Sequence, residues 1–162
     1  MKRLVLLVFA PALAALVVAG CGGGGSGSGS TQQSKAATGS GSAATVSLRK
    51  LNVGTALVDG QGRTLYLFEA DKGPMSTCNG ACASLWPPDT TSGKPKAGPG
   101  VDAAKLGTTK RSDGTLEVTY DGHPLYRYAP DTKAGEDTGQ GLNQFGAKWY
   151  VLAASGIKID SD

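Results

Sequence analysis

Two segments of this 162-residue chain carry one pattern, ALVDGQGRTLYLFEAD over 56–71 and VTYDGHPLYRYAPD over 118–131. Each joins an Asp-Gly turn to a Leu-Tyr pair, a second aromatic two residues on, and a closing aspartate. The offset is 60 residues from Tyr66 to Tyr126 and 62 from Asp59 to Asp121, so the first turn is expected to be two residues longer. Duplication is the economical explanation. β-favouring residues on both sides of each turn predict two equivalent hairpins, within about 53–71 and 115–131. In the second, a two-residue turn pairs Tyr120 with His123 and Val118 with Leu125, a register that Pro124 tolerates because its missing N–H points away from the partner strand. That register puts Val118, Tyr120 and Leu125 on one face and Glu117, Thr119, Tyr126 and Tyr128 on the other.

The remaining signals place the hairpins in a mainly β domain over 45–162, a length suited to one core. Cys78 to Trp86 reads as a short helix stopped by Pro87 and Pro88. Val101 to Leu106 reads as another helical turn, and Lys148 to Ala153, in KWYVLA, as a last strand. The expected architecture is two related hairpins plus a C-terminal strand, with a short helix near the cysteine pair.

Ahead of the domain, Lys2 and Arg3 precede the apolar run Leu4 to Val18, the pattern of an export signal over 1–20. Val18-Ala19-Gly20-Cys21 resembles a bacterial lipobox, which implies lipid attachment at Cys21, cleavage after Gly20, and anchorage on the extracytoplasmic face of the cell membrane. Two or more acyl chains hold stably without basic residues, since each buried methylene contributes about 0.8 kcal/mol. Removing Lys2 and Arg3 leaves 14 basic against 13 acidic side chains, and a balance that even gives no footprint for nucleic acid. Residues 21–44 form the lipidated cysteine and a Gly/Ser-rich tether with almost nothing apolar to bury. From Gly22 to Ala44 its root-mean-square span is about 25 to 29 Å.

Cys78 and Cys82 remain after Cys21, and an even pair in an exported chain is most simply a disulfide. The tandem Y-x4-D pattern (Tyr66 to Asp71, Tyr126 to Asp131) joins this pair, the following Leu85-Trp86-Pro87-Pro88, Leu106-Gly107-Thr108, Asp113-Gly114, and Gly139-Gln140-Gly141 before Trp149. Taken together, these residues resemble the secreted-repeat lipoproteins of unknown function. The resemblance covers nearly all of Thr45 to Ala154. It implies an envelope location and a repeat architecture, and no settled activity.

Tyr66 with Phe68, and Tyr126 with Tyr128, are spaced so that each pair lies on a single sheet face, where the rings could stack on a sugar or quinone-like ligand. The plainer alternative is packing against a second layer. Asp71 and Asp131, ahead of Gly73 and Gly135, read as turn caps accepting backbone N–H bonds, or as the polar edge of a binding stripe. Cys78 and Cys82 lack the two-residue spacing and βαβ context of thioredoxin-like sites. Reduced, they could join Met75 and His123 as soft copper ligands, but an oxidising compartment opposes this, and no metal is assigned. His123 is the only histidine. No G-x-S-x-G sequence and no persuasive acid pair supports a hydrolase, and Gly139-Gln140-Gly141 lacks the context of a phosphate loop. The expectation is a monomeric, non-catalytic binding or structural module without cofactor, whose one identifiable partner is the membrane, reached through Cys21. The alternative is an envelope redox or copper-binding component using the Cys78/Cys82 region.

Overall fold

The computed structural model describes residues 42–160, so the expected signal, Cys21 and most of the expected tether lie outside the described residues. The order is β1 (Thr45–Leu51), β2 (Gly54–Asp59), β3 (Tyr66–Phe68), α1 (Ala81–Leu85), β4 (Thr90–Thr91), β5 (Lys96–Ala97), β6 (Leu106–Lys110), β7 (Leu116–Tyr120), β8 (His123–Pro124), β9 (Asn143–Gln144) and β10 (Ala147–Val151). They form three small sheets: β2-β1-β5, β3-β10-β9, and β4-β7-β6 with β8 against β7. Ala44 already belongs to the domain, its N–H donating to Thr91 Oγ1 at 3.0 Å and its carbonyl accepting from Lys96 at 2.8 Å.

Each repeat begins one strand earlier than the hairpin pattern indicates. β1 pairs antiparallel with β2, setting Leu48 opposite Leu57. β6 pairs the same way with β7, setting Thr108 opposite Val118. β7 then turns through Asp121 and Gly122, whose φ angles of 51° and 82° give the left-handed pair that a two-residue hairpin turn requires. Tyr120 faces His123 and Thr119 faces Pro124 as expected, and Leu125 donates its N–H to Val118 at 2.9 Å.

The first turn differs from expectation. Asp59 donates its N–H to the Arg63 carbonyl at 2.8 Å, and Arg63 N–H donates to Asp59 Oδ1 at 3.0 Å, so Asp59 occupies the place of Tyr120, not of Asp121. Its loop is Gly60 to Gly62, one residue longer than its counterpart rather than two. A 2.9 Å bond from Gly62 N–H to the Asp59 carbonyl closes the turn, and Gly62 at φ 79° makes the left-handed step that returns the strand. The two Asp-Gly pairs are thus similar in sequence without being equivalent in register.

Two further expectations are corrected. α1 starts at Ala81 rather than Cys78, after Gly80 at φ 56°, and ends where Pro87 cannot supply an N–H. Val101 to Leu106 forms a single turn, closed by Lys105 N–H to the Asp102 carbonyl at 3.1 Å, and Leu106 opens β6 opposite Tyr120. One isolated turn cannot repay helix nucleation, whereas Leu106 gains burial by pairing.

Side-chain alternation splits the interior in two. Leu57, Leu65, Leu67, Val118, Tyr120 and Leu125 belong to one apolar cluster. Tyr66, Phe68, Trp86, Tyr126 and Trp149 belong to the other, with Tyr128 packed against it. Both faces of the paired segments are covered, so the face expected to show an aromatic stripe is also interior.

Candidate functional site

The two repeats meet at their tyrosines. Tyr66 N–H donates to the Tyr126 carbonyl at 2.8 Å, and Tyr126 N–H returns the bond to Tyr66 at 2.9 Å. This reciprocal antiparallel pair is the contact a local two-fold relation produces. The side chains obey the same relation. Tyr66 Oη donates to Asp131 Oδ2 in the other repeat, and Tyr126 Oη donates to Asp71 Oδ2 at 2.6 Å. Each aspartate keeps its second oxygen for its own loop. Asp71 Oδ1 accepts from Thr77 N–H and Oγ1, both at 2.7 Å, while Asp131 Oδ1 accepts from Thr138 N–H at 3.2 Å and Oγ1 at 2.5 Å. The aspartates cap their loops as the sequence suggests, and the Y-x4-D spacing also gives each repeat one half of a clasp on its twin. Burial, joined by the neighbouring carboxylates, pushes both phenols well above their usual range.

Between the tyrosines runs a column of four rings. Phe68 stacks on Trp149 with centroids 4.1 Å apart, Trp149 stacks on Trp86 at 3.9 Å and 4°, and Trp86 meets Tyr128 at 4.4 Å. Tyr66 stands edge-on to Trp86 at 5.3 Å, and Tyr126 stands edge-on to Trp149 at 5.1 Å. The arrangement repeats about its centre, with Trp86 the counterpart of Trp149 and Phe68 of Tyr128. Both indoles reach one residue. Trp86 Nε1 donates to Gln144 Oε1 at 2.9 Å and Trp149 Nε1 donates to the Gln144 carbonyl at 3.1 Å, which satisfies two buried donors. A β-carbon on Gly139 would stand 2.8 Å from Trp86 and 3.0 Å from Tyr66, so the column admits only glycine there.

The ends of the column open into matching clefts. A cleft of about 630 Å³ is lined by Phe68, Asp71 and Lys72 of the first repeat together with His123 of the second. A cleft of about 450 Å³ is lined by Tyr128, Asp131 and Thr132 of the second together with Arg63 of the first. Arg63 and His123 occupy the same place in their hairpins, so each repeat lends its twin one basic residue. Phe68 is 3% exposed and Tyr66 and Tyr126 are fully covered, while Tyr128 is half-buried. Of the four aromatics in the sequence stripe, Tyr128 presents the most surface to a cleft.

Cys78 and Cys82 are joined in a disulfide, with Cα atoms 5.2 Å apart. Their sulfurs therefore offer no thiolate to a metal. Met75 is largely exposed, and no group of metal-ligating residues occurs among the described residues. The disulfide loop is held by residues outside the sequence motifs. Arg111 NH2 donates to the Cys78 carbonyl at 2.6 Å, and NH1 donates to Ser76 Oγ and Glu117 Oε2, each at 2.7 Å. Ser76 Oγ also stands 2.7 Å from the Tyr126 hydroxyl. Burial pushes the Glu117 carboxyl up to about 7 against the pull of Arg111. Burial works to lower the Arg111 guanidinium, but Glu117 outweighs it and the net direction is upward, so Arg111 keeps its charge. In the first repeat Leu51 and Ala56 take the register positions of Arg111 and Glu117.

A family model described as a secreted repeat of unknown function matches residues 47–89 and again 107–153. The chain belongs to this secreted-repeat family. The matched stretches coincide with the structural repeats, each running from a first strand through the hairpin and Y-x4-D segment to its tryptophan. The secreted-repeat unit is therefore a larger object than the hairpin alone. No curated protein and no solved structure matches the chain.

Proposed function

We propose that this member of the secreted-repeat family is held at the extracytoplasmic face of the membrane by lipid on Cys21 and acts there as a monomeric, non-catalytic binding module without a cofactor. Family membership supports work outside the cytoplasm. The observation that carries the binding reading is the matched pair of clefts, each with a ring at its inner wall and polar groups from both repeats at its rim. Such a combination suits a ligand with a flat apolar face and hydrogen-bonding edges, a sugar ring or a quinone.

Two measurements test the two halves of this reading. Cys21→Ser removes the thiol required for thioether formation, so fatty-acid label should vanish from the protein and partitioning into detergent should fall. Retention of label would refute the anchor. For the clefts, soluble cell-wall glycan fragments and short-chain quinones are titrated against tryptophan fluorescence, because Trp86 stacks on Tyr128. Saturable quenching that Tyr128→Ala abolishes supports the binding module. Silence towards every probe, or a response unchanged in Tyr128→Ala, overturns it.

A further inference from the structure

We propose that the Phe68–Trp149–Trp86–Tyr128 column, with the two tyrosine–aspartate pairs beside it, accepts one-electron oxidation from outside the protein and passes it to tyrosine. The proposal concerns a chemical capacity of the interior and does not depend on ligand binding in the clefts.

Four features of the geometry converge on it. The rings are in face-to-face or edge contact without interruption, which gives an electron a short path between neighbours. The chain has two tryptophans, and both stand at the centre of the column, stacked on each other; a radical cation shared over two such rings is more stable than one confined to a single indole. Tyr128, half-buried at a cleft, supplies a terminus near solvent. Tyr66 and Tyr126 each direct their hydroxyl proton at a buried carboxylate. A phenol loses an electron readily only if its proton can leave at the same time, and Asp131 and Asp71 are placed to receive those protons. A purely apolar core needs none of these hydroxyls or carboxylates.

An outer-sphere oxidant, such as a ruthenium(III) polypyridyl complex or an organic radical, takes one electron from the Trp86/Trp149 pair and is itself reduced by one electron. Tyr126 then returns one electron to the tryptophan pair while its Oη–H bond breaks and the proton moves to Asp71 Oδ2. The products are neutral tryptophans, a neutral tyrosyl radical and a protonated Asp71. Tyr66 does the same with Asp131, and Tyr128 releases its proton to water.

The test uses the full chain in detergent, with tris(bipyridine)ruthenium(III) generated by a light flash from the ruthenium(II) complex with a cobalt(III) ammine as the sacrificial electron acceptor, and follows tryptophanyl and tyrosyl absorption together with the trapped radical by electron paramagnetic resonance. Every tryptophanyl signal reports the column, since the chain has no other tryptophan. In the wild type the tryptophanyl signal should decay as tyrosyl appears. In the triple variant Tyr66→Phe/Tyr126→Phe/Tyr128→Phe the tyrosyl signal should be lost and the tryptophanyl radical should outlast the wild-type decay. Asp71→Asn should slow tyrosyl formation and remove the solvent deuterium effect contributed by Tyr126. The pair Tyr120→Phe/Tyr150→Phe, whose rings lie outside the column, should leave the transfer unchanged. Equal tyrosyl yield in the triple variant, or loss of transfer in the Tyr120/Tyr150 variant, overturns the proposal. If the triple variant does not fold, the single variants Tyr126→Phe and Tyr128→Phe are read instead, and unchanged radical transfer in both overturns it. A merely structural role for the phenols would move melting temperatures and leave the identity of the radical untouched.

Discussion

Tyr66 and Asp131, 65 residues apart in the chain, share a buried hydroxyl-to-carboxylate hydrogen bond that joins one repeat to the other. Removing the hydroxyl strands a buried carboxylate oxygen, so Tyr66→Phe should cost about 1–3 kcal/mol. Tyr66→Ala and Tyr126→Ala remove packed rings as well and should each cost about 3–5 kcal/mol. Denaturant melts provide the values. If either alanine variant stays within about 0.5 kcal/mol of wild type, the ring is not packed as described. In a double-mutant cycle, Tyr66→Phe and Asp131→Asn should couple by about 0.5–3 kcal/mol.

Arg111 and Glu117 form a buried pair whose counterparts in the first repeat are Leu51 and Ala56. Glu117→Ala alone leaves the buried Arg111 guanidinium with only the exposed Asp113 carboxylate, 3.6 Å away, and should cost up to about 3–5 kcal/mol. The double change Arg111→Leu/Glu117→Ala transplants the first repeat's solution into the second and should cost less than the single change. Equilibrium unfolding of the two variants decides this. A double variant less stable than Glu117→Ala would mean that the Arg111 bonds to Ser76 and Cys78 outweigh the charge problem.

Asp89 is 6% exposed, and its Oδ2 accepts no hydrogen bond from the described residues. Burial raises its carboxyl from 3.8 to about 6, only partly offset by Arg127. The folded state thus binds this proton more tightly than the unfolded state. The contribution is fully present below about pH 3.8 and is lost as pH rises through about 6, a change on the order of 3 kcal/mol. Asp89→Asn should flatten that part of the profile and gain on wild type above pH 6. Parallel melting curves from pH 4 to pH 7 would refute the assignment.

Cys78 is fully covered and Cys82 is 6% exposed, so reductant should reach the disulfide slowly while the domain is folded. Thiol titration after treatment with a mild reductant should detect little free sulfhydryl without denaturant and both cysteines with it. The closed ring is short, and Cys78→Ala/Cys82→Ala should lower stability by only about 2 kcal/mol. Rapid reduction of the native protein would contradict the burial.

The hairpins, the helix beside the cysteines and the last strand were legible because each rests on a local signal: an Asp-Gly turn, two prolines, an alternating run. The register of the first turn was not, because Asp59-Gly60 and Asp121-Gly122 look alike while a three-residue loop closed at Gly62 and a two-residue turn place them differently. β6 carries no such signal, because Gly107 to Lys110 has no apolar alternation and is a strand by virtue of pairing with β7. Periodicity puts each aromatic pair on one face, but it cannot tell which face a second layer covers, and here both are covered. The equivalence of Trp86 and Trp149 could have been read from an offset of 63 residues that nearly continues the 60 of the tyrosines. The partners of Asp71 and Asp131 could not, since nothing in a Y-x4-D segment says that its tyrosine serves the other copy.

That exchange bears on how such a chain could have arisen. Contacts in which each copy offers the other the same donor and acceptor are those of an isologous interface between identical subunits. A single repeat leaves its aspartate without a tyrosine and its tryptophan without a stacking face, so a half-length ancestor would have needed to assemble as a homodimer before fusion placed both subunits on one polypeptide.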